Sequence, residues 1–325
     1  MEEQLNPTTA VLNPEKILRD LHDLWADLAR AQDGVGGILR ACSMTLIVVA
    51  EHDDAADAEQ ARKTIGALMH GHPSRAIVLT PSEGGEFSAR VFAECWMPSG
   101  GQQQICAEGI EITADSEQTD EVARLLVPLI APDLPVVLWC RGPRAFLDRS
   151  LDPLFPLANK IIFNTRAVRH PASAIEFLRR MRKDGRQVAD LAWTRLTGWR
   201  EAVAHLMDAC PGGWRPAGRG GTVHIEHGGE RPGTRSLYFA RWIERALPAI
   251  NITLTPVAGG AGLHSVVFAG GSAEMSIRLG EGSSLEVRNG ERRYAAMLTP
   301  DSEECLMREE LSILGRDPVF ERVLG

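Results

Sequence analysis

The 325-residue sequence predicts an α/β fold: a mostly parallel, Rossmann-like sheet with helices on both faces, followed by a smaller α+β domain with an antiparallel sheet. Three observations carry this expectation. Over residues 44–183, short apolar runs rich in branched side chains alternate with amphipathic helical stretches, the pattern of βαβ units. A crowd of Gly and Pro at residues 210–221 then ends all periodicity. Beyond it the apolar runs are short and closely spaced, and Asn289-Gly290 signals a hairpin between the last two.

The elements follow in order. Ile17, Leu18, Leu21, Leu24, Trp25 and Leu28 recur at helical spacing over 14–32, behind Asn13-Pro14 as N-cap and first-turn proline. Met44–Ala50 reads as a strand, Ala55–Met69 as a helix and Ala76–Leu79 as a second strand. Phe87–Trp96 and Gln103–Thr113 alternate around Pro98-Ser-Gly-Gly101 and predict a hairpin. Glu117–Ala131 is helical, Pro135–Cys140 a buried strand, Pro143–Leu154 a helix, Ile161–Phe163 a strand and Ala172–Lys183 a helix. Right-handed crossovers then leave few topologies for these units.

Past the break come a strand at Thr222–Glu226 and a helix at Thr234–Leu247. Strands follow at Ile252–Val257, Ser265–Ala269, Ala273–Leu279, Ser284–Arg288 and Arg292–Ala296. The closing helix opens on Thr299-Pro-Asp-Ser-Glu-Glu304, whose acids suit the positive end of the helix dipole. The expected organisation is a flexible N-terminus (1–13), an α/β domain (14–209), a Gly/Pro-rich linker (210–221) and an α+β domain (222–325).

A net charge of −8 and a pI near 5.7 argue against a nucleic-acid partner, and no run approaches the ~20 apolar residues of a membrane span. A cytoplasmic location is expected. The six cysteines contain no Cys-x-x-Cys, so reduced, mostly buried thiols are expected, with neither a zinc knuckle nor a dithiol motif. There is no P-loop, no G-x-G-x-x-G after the first strand and no G-x-S-x-G elbow, so no cofactor and no catalytic residue is expected. Gly34-Val-Gly-Gly37 precedes the first strand rather than following it, and Gly259-Gly-Ala-Gly262 reads as a wide turn.

The densest chemistry lies in Asp190-Leu-Ala-Trp-Thr-Arg-Leu-Thr-Gly-Trp-Arg-Glu201, which holds two of the seven tryptophans. Trp193, Trp199, Arg195 and Arg200 suit a binding surface or a polar pocket wall. They equally suit a helix capped by Asp190, anchored by its tryptophans, with both arginines reaching solvent. In His72-Pro-Ser-Arg75, His72 and Pro73 end a helix while Ser74 and Arg75 bond the turn; alternatively Arg75 contacts an anion or a partner carboxylate. Cys106 and Glu108 share one strand face and Glu111 takes the other, which excludes a carboxylate pair. His224 and His227 project to opposite faces, so they form no metal site and are expected in solvent.

Four of these segments resemble the glucose-6-phosphate dehydrogenase assembly protein family, the OpcA-type proteins. They are His72-Pro-Ser-Arg75 with Ala-Ile-Val after it, Cys106-Ala-Glu108, Leu134-Pro-Val-Val-Leu-Trp139, and Asp190-Leu-Ala-Trp-Thr-Arg195 with Trp199-Arg200-Glu201. The resemblance implies a protein without a reaction of its own that binds glucose-6-phosphate dehydrogenase and promotes its assembled or active state. The candidate functional or binding residues are His72, Ser74, Arg75, Cys106, Glu108, Trp139, Asp190, Trp193, Arg195, Trp199 and Arg200, with Arg75, Trp139, Trp193, Arg195 and Arg200 as candidates for anchors or an internal polar network. Where the family favours Asp-Ser after Ile161-Ile-Phe163, this chain has Asn164-Thr165. A different class of function also fits: a sugar-phosphate or nucleotide-binding unit, or an enzyme, with Arg75, Glu108, Asp190 and Arg195 converging on one cleft that takes a small anion. A plain scaffold would instead disperse them, each satisfied locally.

Overall fold

Three runs that read as buried strands, Met44–Val49, Val136–Cys140 and Lys160–Phe163, lie at the centre of a parallel sheet, each inaccessible along its whole length. The computed structural model describes residues 8–9, 13–31, 37–51, 55–82, 87–101, 103–115, 118–147, 149–209, 221–247, 250–270, 275–313 and 315–325. Two compact units divide the chain: Met1–Asn164 with Gly185–Val188, and Thr165–Asp184 with Ala189–Gly325. These divisions fall ahead of the 210–221 segment where composition places a boundary; residues 210–220 of that segment, and most of 1–13, lie outside the described ones.

In chain order the elements are β1 (Thr8–Thr9), α1 (Pro14–Ala31), β2 (Ile38–Arg40), β3 (Met44–Val49), α2 (Ala55–Met69), β4 (Ser74–Ser82), β5 (Ser88–Trp96), β6 (Gln104–Asp115), α3 (Thr119–Leu126), β7 (Val136–Cys140), α4 (Arg144–Leu147), β8 (Lys160–Phe163), α5 (Pro171–Lys183) and β9 (Gln187–Asp190). The strand order is β1-β5-β6-β4-β3-β7-β8-β9, with β2 beside β6. Setting aside β1, β2 and the β5 hairpin arm leaves β6-β4-β3-β7-β8-β9, the 3-2-1-4-5-6 order of a Rossmann sheet. The β3/β4, β4/β6, β3/β7 and β7/β8 pairs are parallel, and β5/β6 is the expected antiparallel hairpin.

Several expectations need correction. Pro143–Leu154 is not one helix: α4 stops after one turn and Asp152–Leu157 is a 3-10 turn, because Pro153 and Pro156 deny the backbone its i→i−4 donors. Pro128 likewise converts the end of α3 into a 3-10 turn at Val127–Leu129. Cys95 and Cys106 are not free thiols. They face each other across β5/β6 and form a disulfide, a pairing set by hairpin register and not by short Cys spacing. Cys42, Cys140 and Cys305 are free, and burial pushes the Cys140 thiol up to about 12.

The second unit continues with α6 (Leu191–Thr194), α7 (Thr197–Asp208), β10 (Thr222–Gly228), α8 (Thr234–Ala246), β11 (Asn251–Val257), β12 (Gly262–Ala269), β13 (Met275–Leu279), β14 (Ser284–Asn289), β15 (Arg292–Met297), α9 (Glu303–Ser312) and α10 (Pro318–Leu324). Its sheet, β11-β10-β12-β13-β14-β15, is mixed and not purely antiparallel. β10 and β11 run parallel because α8 supplies the crossover that parallel neighbours need. A bulge between Glu226 and His227 turns His227 inward, so it is 1% exposed where solvent was expected. Trp193, Tyr238, Phe239, Phe268 and Phe320 fill this unit's core.

The end of β10 packs directly on the glycine loop before β12. A Cβ on Gly228 would run into the backbone carbonyl of Gly260 and lie 2.9 Å from His264 Nε2, whereas one on Gly260 meets nothing within 4 Å. Gly228→Ala is therefore expected to lower the urea midpoint by the equivalent of about 1–3 kcal/mol, the usual cost of overpacking. Gly260→Ala should stay within about 0.5 kcal/mol of the parent in the same measurement.

Candidate functional site

The parallel register of β4 and β6 sets Arg75 beside Glu108, and the Glu108 carboxylate then gathers donors from three other elements. Arg75 Nε donates to Glu108 Oε1 at 2.6 Å, Arg40 Nη2 of β2 to the same oxygen at 2.8 Å, and Trp25 Nε1 of α1 to Oε2 at 2.6 Å. Arg75 Nη1 also donates to the Leu129 carbonyl at 2.8 Å, and Arg40 lies over the Trp25 ring at 5.2 Å. Burial alone would raise the Glu108 carboxyl, but the hydrogen bonds from Trp25 and Arg40 and the charge of Arg75 outweigh it and hold it below 4.5. Such a carboxylate is a fixed anion saturated with donors, unsuited to accept a proton in catalysis.

The His72 N–H closes α2 on the Leu68 carbonyl, as expected. Ser74 is buried at the start of β4, and Arg75, expected to bond the turn, instead points to Glu108. Cys106 is taken up by the disulfide. Trp139 is fully buried under the Arg141 guanidinium at 5.3 Å. Arg141 Nη1 holds Asp57 through its Oδ1 at 2.5 Å and its carbonyl at 2.7 Å. In this strand order the ends of β3 and β7 flank the point where a dinucleotide fold binds pyrophosphate. In sequence β3 is followed by Ala50-Glu51-His52-Asp53-Asp54, of which residues 52–54 lie outside the described ones.

In the second unit Asp190, fully buried, caps α6 and accepts four hydrogen bonds. Its Oδ1 takes the Thr165 N–H at 3.1 Å and the Ala192 N–H at 2.9 Å; its Oδ2 takes the Thr165 hydroxyl at 2.6 Å and the Tyr238 hydroxyl at 2.9 Å. Burial raises the Asp190 carboxyl above 3.8 against the pull of those donors, and burial together with the Asp190 charge puts the Tyr238 phenol well above 10. Although position 164 is Asn, a carboxylate is thus supplied to Thr165 by Asp190.

Trp193 stacks on Phe320 at 5.5 Å, meets Tyr238 edge-on and donates Nε1 to Asp317 at 2.8 Å. Arg200 lies over its indole at 4.0 Å and donates to the Thr197 hydroxyl at 2.8 Å, and Trp199 packs edge-on against Phe239. The capping and anchoring reading therefore fits Asp190, Trp193 and Trp199. Its companion expectation, that Arg195 reaches solvent, does not: the Arg195 side chain is 3% exposed and its Nε donates to Asp301 Oδ1.

Arg195 forms part of the wall of a cavity of about 330 Å3. Arg166 Nη1 and Arg235 Nη1 stand 3.4 and 3.8 Å from Asp301 Oδ2, so three guanidiniums surround one carboxylate. Arg235 Nη2 also donates to the Ala261 carbonyl at 2.8 Å, in the glycine run read as a wide turn. Arg166, Arg235 and Asp301 escaped the sequence reading because their convergence depends on tertiary contacts across 135 residues. Arg75 and Glu108, meanwhile, belong to the first unit, and Asp190 and Arg195 to the second. No cluster of three metal-ligating side chains occurs among the described residues.

Two family models match in succession: the glucose-6-phosphate dehydrogenase subunit N-terminal domain over residues 66–181, and its C-terminal domain over 186–324. The chain belongs to the OpcA family of glucose-6-phosphate dehydrogenase assembly proteins. Among its OpcA relatives, the putative OxPP cycle protein OpcA of Nostoc punctiforme is 24% identical over 141 residues, 42% of this chain and 30% of the relative. That of Synechococcus elongatus is 28% identical over 142 residues, 42% of this chain and 32% of the relative. The alignments thus span about a third of the length of these curated OpcA proteins. Similar solved structures include aldose-aldose oxidoreductase from Caulobacter crescentus (TM-score 0.47, 11% identity, covering 86% of this chain and 94% of that one). Biliverdin reductase from Synechocystis is another (TM-score 0.45, 7% identity, 87% and 95%).

Substitutions at Asp190 and Glu108 probe the two polar knots. Asp190→Asn keeps an acceptor for both N–H groups and offers its amide to two hydroxyls that can turn to accept, so it should cost about 1 kcal/mol or less; Asp190→Ala, stranding buried donors, should cost on the order of 3 kcal/mol in urea unfolding. For Glu108 the folded pKa lies below the unfolded one, so its contribution is present above about pH 4.5 and fades as pH falls through the folded value. Glu108→Gln should therefore destabilise by on the order of 3 kcal/mol at pH 7. Unfolding curves should show that gap narrowing as the pH is lowered from 4.5.

Proposed function

We propose that this chain is a non-catalytic partner of glucose-6-phosphate dehydrogenase, acting in the cytoplasm on the oxidative pentose phosphate pathway. It binds the assembled or active state of that enzyme more tightly than the alternatives. The observation that carries the reading is the pair of family matches, which run in order through residues 66–324 and so reach both compact units. The site chemistry supports it. Glu108 and Asp190, the two buried carboxylates among the nominated residues, are each committed to several internal donors, which leaves neither poised as an acid or a base. Among the described residues no helix is long and apolar enough to cross a membrane.

A partner of this kind works only through differential affinity, and a difference of about 1–3 kcal/mol shifts an equilibrium about 5- to 150-fold. Mixing the purified chain with the dehydrogenase from the same source should give co-elution in size exclusion. It should also raise the rate at low glucose 6-phosphate by a factor in that range. Independent elution and superimposable rate curves, with both proteins folded by circular dichroism, would overturn the proposal.

A further inference from the structure

The two edges of the second unit's sheet are built differently. β11 carries Pro256, whose missing N–H blunts that edge against further pairing. β15 has no proline, its ladder with β14 runs without a bulge, and five of its six residues are exposed, Tyr294 at 42% and Met297 at 74%. The Leu298 N–H donates to the Ser283 carbonyl at 2.8 Å, which fixes the alternation along the hairpin. Arg292, Tyr294 and Ala296 therefore bond β14, while Arg293, Ala295 and Met297 turn their N–H and C=O groups outward. Among the described residues those outward groups meet no partner.

The charges on this edge are unanswered as well. Side chains alternate, so Arg293, Ala295 and Met297 share with Glu286 and Arg288 the face turned away from the buried Leu285 and Val287. Arg293 stands directly opposite Arg288, a like-charge pair that weakens the hairpin by itself. Among the described residues neither arginine forms an ion pair, nor does Glu286, which stands opposite Ala295.

A second β15 completes this edge in one register. Antiparallel pairing about a twofold axis at Ala295 lets Ala295 exchange hydrogen bonds with its own counterpart, and Arg293 with Met297 of the second copy, so every outward group is matched. A centre at Tyr294 would draw Glu291 of the turn into the pairing and bring the two Arg293 side chains to roughly 8 Å; the Ala295 centre holds them about 14 Å apart. It also lays each Arg293 stem on the exposed Met297 of the other copy, roughly 12 Å between Cβ positions from that copy's Glu286, a span that extended arginine and glutamate side chains close. Each copy's unanswered cation thus meets the other's unanswered anion.

We infer that β15 is a self-association edge, at which two copies of this chain join antiparallel about Ala295 and their six-stranded sheets become one continuous sheet.

Sedimentation velocity on the full chain over a concentration series is expected to show a monomer–dimer equilibrium. Ala295→Pro should weaken the dimer by roughly tenfold or more and leave the fold intact, because the N–H it removes points away from β14. Arg293→Glu and Glu286→Arg should each weaken it severalfold, since each sets like charges across the twofold. Arg293→Glu also relieves the repulsion with Arg288, so its loss of dimer is not loss of the hairpin. An equimolar mixture of the two charge variants should dimerise about as tightly as the parent, a rescue between chains that a role within one chain does not give. If Ala295→Pro fails to fold, the mixture decides. A monomer at every concentration, a dimer that keeps its affinity in folded Ala295→Pro, or charge variants that the mixture fails to rescue would each overturn the inference. So would a monomer whose co-elution with the dehydrogenase is abolished by Arg293→Glu, which assigns the edge to that partner instead. Self-association is read on the isolated chain, so its failure is separate from any failure to bind the dehydrogenase.

Discussion

One buried carboxylate organises the first unit. An ionised Glu108 at 1% exposure would be untenable alone, since removing a charge from water costs several kcal/mol even after relaxation. It is tolerated because α1, β2 and β4 each deliver a donor to it through Trp25, Arg40 and Arg75. The constraint works in both directions. A one-residue slip of β4 against β6 would turn Arg75 to the other face and leave both charges unpaired, so this ion pair penalises wrong registers as much as it stabilises the right one. The second unit repeats the device in another form, with Asp190 binding the start of α6, the 3-10 turn at Thr165 and α8 into one cluster.

The sheet has the strand order of a dinucleotide-binding fold. In sequence Glu51, Asp53 and Asp54 follow β3, and after β7 the Arg141 guanidinium pairs with Asp57 of α2. In the second unit Arg166, Arg195 and Arg235 gather around Asp301.

Much of the fold was legible because it is written in local periodicity. The βαβ strands and helices from Met44 to Lys183 follow from apolar spacing, as do the β5/β6 hairpin and most strands beyond Thr222. The failures have specific causes. Pro153 and Pro156 override an otherwise helical pattern, the β10 bulge reverses the face of His227, and α8 makes one strand pair parallel. The Asp190 segment announced a polar capping site correctly in composition, but its partners Thr165 and Tyr238 come from outside the motif. Register was the harder barrier. Arg75 and Glu108 were singled out separately, yet only the β4/β6 pairing makes them one site; Trp25 read as an apolar helix position, and Cys95 and Cys106 needed the hairpin alignment to become a pair.

The Asp190 cluster also gives the molecule an optical asymmetry. Only two tyrosines occur in the sequence, Tyr238 and Tyr294, and both belong to the second unit. Tyr294 stands 42% exposed at the sheet edge, while Tyr238 is sealed against Asp190 with its phenol held far above its ordinary ionisation. Alkali therefore meets one accessible phenol in the native chain, and the ultraviolet band of a second phenolate emerges only when the second unit opens. The first unit contributes nothing to that signal, so phenolate absorbance distinguishes the melting of one half of the protein from that of the other.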